Sequence, residues 1–209
     1  MVRKFYFTAI ISFLAICSFL IASFAISTNM AKSGYLERVI TAKNVGAYSM
    51  ETAKIYWEND RLRVENYTVG GLRVQIKNGR TMFLYHPTQK IAIKTTIPEK
   101  YAKSVQEMLS EQTVAPKGGK KIGTAKVAGI DCDVYSFSEQ KNGTTGKLYM
   151  SKDPRLPIPL KEVVTIGNAV RTVETRAIRL NYNVPDSMFV LPKGVKVKEE
   201  KFPEPTNRR

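Results

Sequence analysis

The chain has 209 residues, 43% hydrophobic and 24% charged, with 33 Lys and Arg against 18 Asp and Glu, one histidine and two cysteines. That length holds one well-buried domain and is short for two. A net charge of +15 suits a nucleic acid, an anionic membrane surface or an acidic polymer, but the basic residues are spread over turns and polar strand faces with no nucleic-acid signature, so no nucleic acid is expected.

Arg3 and Lys4 precede an uncharged run from Phe5 to Ser27. A basic start, an apolar middle and a small-x-small site at Ser23-Phe24-Ala25 describe a secretory signal over 1–25. The same run is long enough to cross a bilayer as an uncleaved anchor over 5–27. Both readings export everything from about Thr28 onward, to the periplasm or the outer face of the cytoplasmic membrane. A lipoprotein signal does not fit, because Ile16 stands before Cys17 where a small residue is expected. Removing 1–25 takes away Arg3, Lys4 and Cys17 and no acid, so the net charge falls from +15 to +13. Cys132 then has no intramolecular disulfide partner. It sits in the alternating run Ile130 to Tyr135 and reads as a buried, inert thiol, with intermolecular pairing as the alternative.

Tyr35 to Lys43 fits a helix through Leu36, Val39 and Ile40, and a strand through its β-branched Val39, Ile40 and Thr41; the pattern leaves it open. Period-two alternation follows. Ala53 to Glu58, Arg61 to Glu65, Leu72 to Lys77, and the two arms Met82 to Tyr85 and Ile91 to Ile93 read as strands. Turns at Asn59-Asp60, Gly70-Gly71, Asn78-Gly79 and His86-Pro87 fall 8 to 11 residues apart, the spacing of an antiparallel meander.

Pro98 to Leu109 breaks the pattern. Proline in its first turn and apolar residues at 101, 105, 108 and 109 predict an amphipathic helix. Residues 115–121, APKGGKK, read as an exposed basic loop without phosphate-loop spacing. Lys117, Lys120 and Lys121 are the candidates for steering the protein to an anionic membrane surface. Strands resume at Ala125 to Val127, Cys132 to Phe137, Gly146 to Met150, Glu162 to Ile166 and Val173 to Tyr182. A turn and a flexible tail over 198–209 close the chain.

One helix is about 10 to 12 Å across, and strands lie about 4.8 Å apart, so it covers two or three strands of a sheet of roughly eight to eleven. The expected fold is therefore mainly β (α+β), a strongly curled antiparallel sheet forming an unclosed half-barrel with a short helical lid, over residues 28–197. Ile55, Trp57, Leu62, Val64, Leu72, Val74, Ile76, Met82, Leu84, Ile91 and Ile93 read as one continuous apolar face lining its cavity. Tyr101, Val105 and Met108 would cap it. Each buried methylene contributes about 0.8 kcal/mol, so ten acyl carbons gain about 8 kcal/mol before association costs. His86 precedes proline at a turn and reads as a turn residue, so no catalytic site is expected. Asp131 and Asp133 share a strand face that Cys132 does not, so neither a metal site nor a cofactor is expected.

Four stretches together resemble the LolA/LolB-like periplasmic lipoprotein carriers and their MucB/RseB relatives. Asn78 to Pro87 is similar to the family's D/N-G-K-T-x-W-x-Y-x-P hairpin, and Ile55 to Glu65 to the strand pair before it. Lys147 to Ser151 followed by Leu156-Pro157, and Pro185 to Val195, resemble two later motifs. The likeness covers most of residues 48–197. It implies an unclosed β-barrel, apolar inside and lidded by short helices, which binds acyl chains of lipid or of an acylated lipoprotein. The family's Arg-Pro in the strand pair is missing, since Trp57-Glu58-Asn59-Asp60-Arg61 stands there, which sets strict carrier function apart from the fold. Two functions follow from the resemblance. One is a monomeric carrier of lipid or lipoprotein. The other is a non-catalytic envelope sensor that binds a protein partner on the same fold.

Overall fold

A computed structural model describes residues 30–44, 49–110, 119–139 and 143–203. The signal or anchor over 1–27 and Lys117 lie outside the described residues. Twelve strands form one sheet: β1 (Ser33–Lys43), β2 (Ser49–Glu58), β3 (Arg61–Thr68), β4 (Gly71–Asn78), β5 (Thr81–His86), β6 (Ile91–Thr96), β7 (Lys120–Val127), β8 (Ile130–Glu139), β9 (Thr144–Ser151), β10 (Pro159–Ile166), β11 (Ala169–Leu180) and β12 (Lys196–Glu199). Their order is β12-β6-β5-β4-β3-β2-β1-β11-β10-β9-β8-β7. β12 and β7 are unpaired on their outer sides among the described residues, so the sheet is unclosed.

The meander follows from its turns. Asn59 (φ 51°) and Gly79 (φ 53°) hold the left-handed backbone that two-residue hairpin turns require. The segment left open, Tyr35 to Lys43, is the central strand β1, which joins the meander to β11. Its β-branched residues prevail because it is flanked by partners on both sides. The tail expected from 198 begins inside β12: Lys196–Glu199 pairs in parallel with Ile91–Lys94, and the Phe202 ring stacks on Tyr101 at 5.6 Å.

The helix is shorter than the periodicity predicts. Glu99–Tyr101 is a 3-10 turn, Ala102 is extended, and α1 runs Val105–Ser110. A capping box sets its start: the Glu107 backbone N–H donates to Ser104 Oγ at 3.1 Å, and the Ser104 N–H donates back to Glu107 Oε2 at 2.6 Å.

Two buried clusters lie on opposite faces of the meander. One joins Leu36, Ile55, Trp57 and Val64 to Val105 and Leu109 of α1, to Leu156, Ile158 and Leu160, and to Val127 and Cys132. β2 and β8 lie five strand spacings apart, about 24 Å in a flat sheet, so their sharing one core requires the sheet to bend around it. We call the face carrying α1 the inner face. The second cluster, on the outer face, joins Val74, Ile76, Tyr85 and Ala92 to Val184 and Phe189 of the C-terminal segment.

Candidate functional site

Strand register assigns each candidate to a face. Ile55 pairs with Val64 and Trp57 with Leu62, all on the inner face. Val64 then pairs with Gln75 and Leu62 with Lys77, which pair in turn with Leu84 and Met82. Leu84 faces Ile93, and His86 faces Ile91. Ile55, Trp57, Leu62, Val64, Met82, Leu84, Ile91 and Ile93 therefore share the inner face.

Leu72, Val74 and Ile76 do not. They pair with Tyr67, Glu65 and Arg63 and lie on the outer face, where Val74 and Ile76 are completely buried against the C-terminal segment. The continuous face read from the sequence is thus broken at β4, which presents Arg73, Gln75 and Lys77 inward instead. Hairpins closed by two-residue turns pair an even-numbered residue with an odd-numbered one. Val64 and Val74 are both even and fall on opposite faces.

The inner face has a filled part and an open part. Trp57 is fully buried, with its indole N–H donating to the Ala31 carbonyl at 2.9 Å, and Val105 and Leu109 of α1 close over Ile55 and Val64. Beyond the polar stripe of β4, Met82, Leu84 and Ile93 are half-buried and Ile91 is 40% exposed. Met108, on α1, is also half-buried. Tyr101 is not part of the cap: its ring meets Phe202 at the end of the sheet. A cleft of about 280 Å³ lies beside it, lined by Lys94, Thr96, Pro98 and Glu199 to Phe202, at the sheet edge rather than on this floor.

The lid is tied from below. Asp60 accepts from the Val105 N–H at 3.2 Å and from Lys77 Nζ at 2.7 Å. Lys77 is only 5% exposed, so Asp60 both balances a buried ammonium and holds the first turn of α1. His86 has its pKa lowered by burial and by Arg73, which keeps it neutral at pH 7. Among the described residues no group of three or more His, Cys, Asp or Glu is placed to hold a metal. Burial also raises the Cys132 thiol pKa, which leaves it a weak nucleophile. Lys120 and Lys121 begin edge strand β7, and Lys121 pairs with Asp133 at 2.8 Å.

Sequence reasoning missed Arg38. It lies on the inner face of β1, paired with Ala53 on one side and Thr175 on the other. Its Nη2 donates to the Pro159 carbonyl at 3.2 Å. Burial lowers its pKa to about 10, and Glu162 works in the opposite sense. Once β1 is known as a strand, Arg38 falls between inward Leu36 and Ile40; the open reading of that segment concealed it.

No protein-family model matches the sequence, and no curated protein does either. Solved structures do. An uncharacterised conserved protein from Thermus thermophilus matches with a TM-score of 0.54 at 12% identity, over 84% of this chain and 94% of that one. MucB in the Pseudomonas aeruginosa MucA/MucB complex matches with a TM-score of 0.47 at 12% identity, over 79% of this chain and 58% of that one. An outer membrane lipoprotein-sorting protein domain from Vibrio parahaemolyticus matches with a TM-score of 0.35 at 12% identity, over 75% and 88%. The match to the Thermus thermophilus protein shows a likeness of fold. Identities this low are likenesses of fold and reach no further, and this chain spans just over half the length of MucB.

Proposed function

We propose that this is an exported protein of the cell envelope that binds the acyl chains of a lipid or lipoprotein on its inner face, acting as a carrier rather than as an enzyme. The observation that supports this reading is the open floor of Met82, Leu84, Ile91 and Ile93, on the same face as a core capped by a six-residue helix and set beyond the polar stripe of β4. Apolar side chains half-covered on a bent sheet gain by burying a ligand's methylenes, at about 0.8 kcal/mol each. The basic chain suits the anionic surface from which such a ligand comes.

The test is native mass spectrometry on the protein isolated from its envelope without detergent, followed by solvent extraction. A discrete added mass that extracts as lipid or acyl peptide, and that diminishes in Leu84→Asp and Ile93→Asp, is the expected result. An apo mass with no lipid uptake from vesicles would overturn the reading and turn the search to a protein partner.

A further inference from the structure

We infer that the inner face holds a site for an anionic headgroup, built on Arg38 and Thr175, so that the ligand is an acyl amphiphile carrying a phosphate or carboxylate. This rests on the acyl-binding reading above and names the ligand class within it. Arg38, Thr175, Val173 and Glu162 share one face across β1, β11 and β10, because Arg38 pairs with Thr175, and Ile40 with Val173, which in turn pairs with Glu162. The Arg38 side chain thus crosses β11 to reach the Pro159 carbonyl on β10. Beneath it, Thr175 is 1% exposed and its hydroxyl has no hydrogen-bond partner among the described residues.

A buried hydroxyl without a partner is costly unless something supplies one, and Arg38, paired across the strands with Thr175, carries a planar fork of donors. Glu162 is the acid that acts on Arg38, and it also pairs with Arg171 at 3.6 Å. Glu51, opposite Ile40 on the same face, is the next acid along. The surroundings are apolar: Ala53 and Leu36 on one side, Leu148 beside Glu162 on the other, all buried. A charge in such a setting gains from an anion that brings bidentate acceptors, and the Thr175 hydroxyl supplies a further donor. The acyl chain of the same ligand would run from this point under α1 towards the open floor on β5 and β6, four to five strand positions away.

The experiment compares two amphiphiles with one acyl chain and one glycerol: lauroyl lysophosphatidate and monolaurin, which differ by the phosphate. Displacement of a fluorescent fatty-acid probe from the whole protein gives both affinities. The phosphate-bearing ligand should bind about tenfold more tightly, as expected of hydrogen bonds to a charged group, and Arg38→Gln should bring the two to equality. Inorganic phosphate at millimolar concentration should displace nothing; displacement by it alone would overturn the lipid source and leave a free-anion site. Glu162→Gln removes the competing carboxylate and should widen the preference, so the inference stays testable if Arg38→Gln does not fold. Equal binding of the two ligands, or a preference unmoved by either substitution, overturns the headgroup site while acyl binding stands. Binding of neither ligand overturns the acyl reading itself.

Discussion

The two faces of the meander are covered in different ways. On the inner face, α1 contributes Val105 and Leu109 to the core and is held by one carboxylate, Asp60, and by the Gln106 side chain on the Asn59 carbonyl at 3.2 Å. On the outer face, the C-terminal segment is pinned along its length. Arg61 pairs with Asp186 at 2.6 Å, Arg63 donates to the Met188 carbonyl at 3.0 Å and Asn78 to the Phe189 carbonyl at 2.8 Å, before β12 completes a ladder on β6. Phe189, 1% exposed, fills the centre, with the Arg61 guanidinium over its ring at 4.6 Å. A short cover tied at its first turn opens more easily than one pinned along its length. The comparison leads us to expect α1 to open before the C-terminal segment does.

The largest effect should come from breaking the fixed cover. Phe189→Ala removes a fully buried aromatic and should cost about 3–5 kcal/mol of global stability, read from the urea midpoint. Leu109→Ala should cost less, about 2–3 kcal/mol. Its hydrogen-exchange protection should fall within Val105–Ser110 well before that of the segment around Phe189; parallel loss at both places would refute the distinction between lid and strap. Asp60→Asn keeps the shape but leaves the Lys77 ammonium without its counter-charge. Because Asp60 is half-exposed and water screens the pair, about 1–2 kcal/mol is expected, with faster exchange at Val105 as the local sign.

The smallest effect sharpens the comparison by pH. Hydrogen bonds from Ser104 hold the Glu107 carboxyl below its ordinary value of 4.5. The unfolded chain therefore takes up this proton more readily than the folded one. The contribution is complete above about pH 4.5 and disappears as pH falls through the lower folded value. Acid should loosen α1 as this carboxyl takes up its proton. Glu107→Gln should cost about 0.5–1 kcal/mol of lid stability at neutral pH and abolish that acid sensitivity; an equal slope in the variant would assign it elsewhere.

Much of this was legible in the residues. Turn dipeptides and period-two runs place β4 and β5 to within one residue at each end, because a two-residue turn and a pleat are local. β2 begins four residues earlier, and β3 and β6 run three residues further, than the alternation shows. The split at β4 was legible too, had the parity across Val69-Gly70 been followed from Val64 to Gln75. The helix start was readable in Ser104-Val105-Gln106-Glu107, whose capping box outweighs the proline at 98 that suggested an earlier start. Chain-local physics also marks Tyr101 as apolar, but does not say that Phe202, a hundred residues on, is what it meets.

What the sequence determined by itself is the alternation, the hairpins and the apolar surplus that no single helix covers. Only the tertiary structure decided which cover goes to which face, that β12 returns in parallel to β6, and that Arg38 points into an apolar wall opposite Thr175. The reason is distance along the chain. Pleat and turn are set by neighbours two to four residues apart, whereas covers and buried charges depend on segments brought together from more than a hundred residues away, where many pairings satisfy the same local pattern and packing selects one.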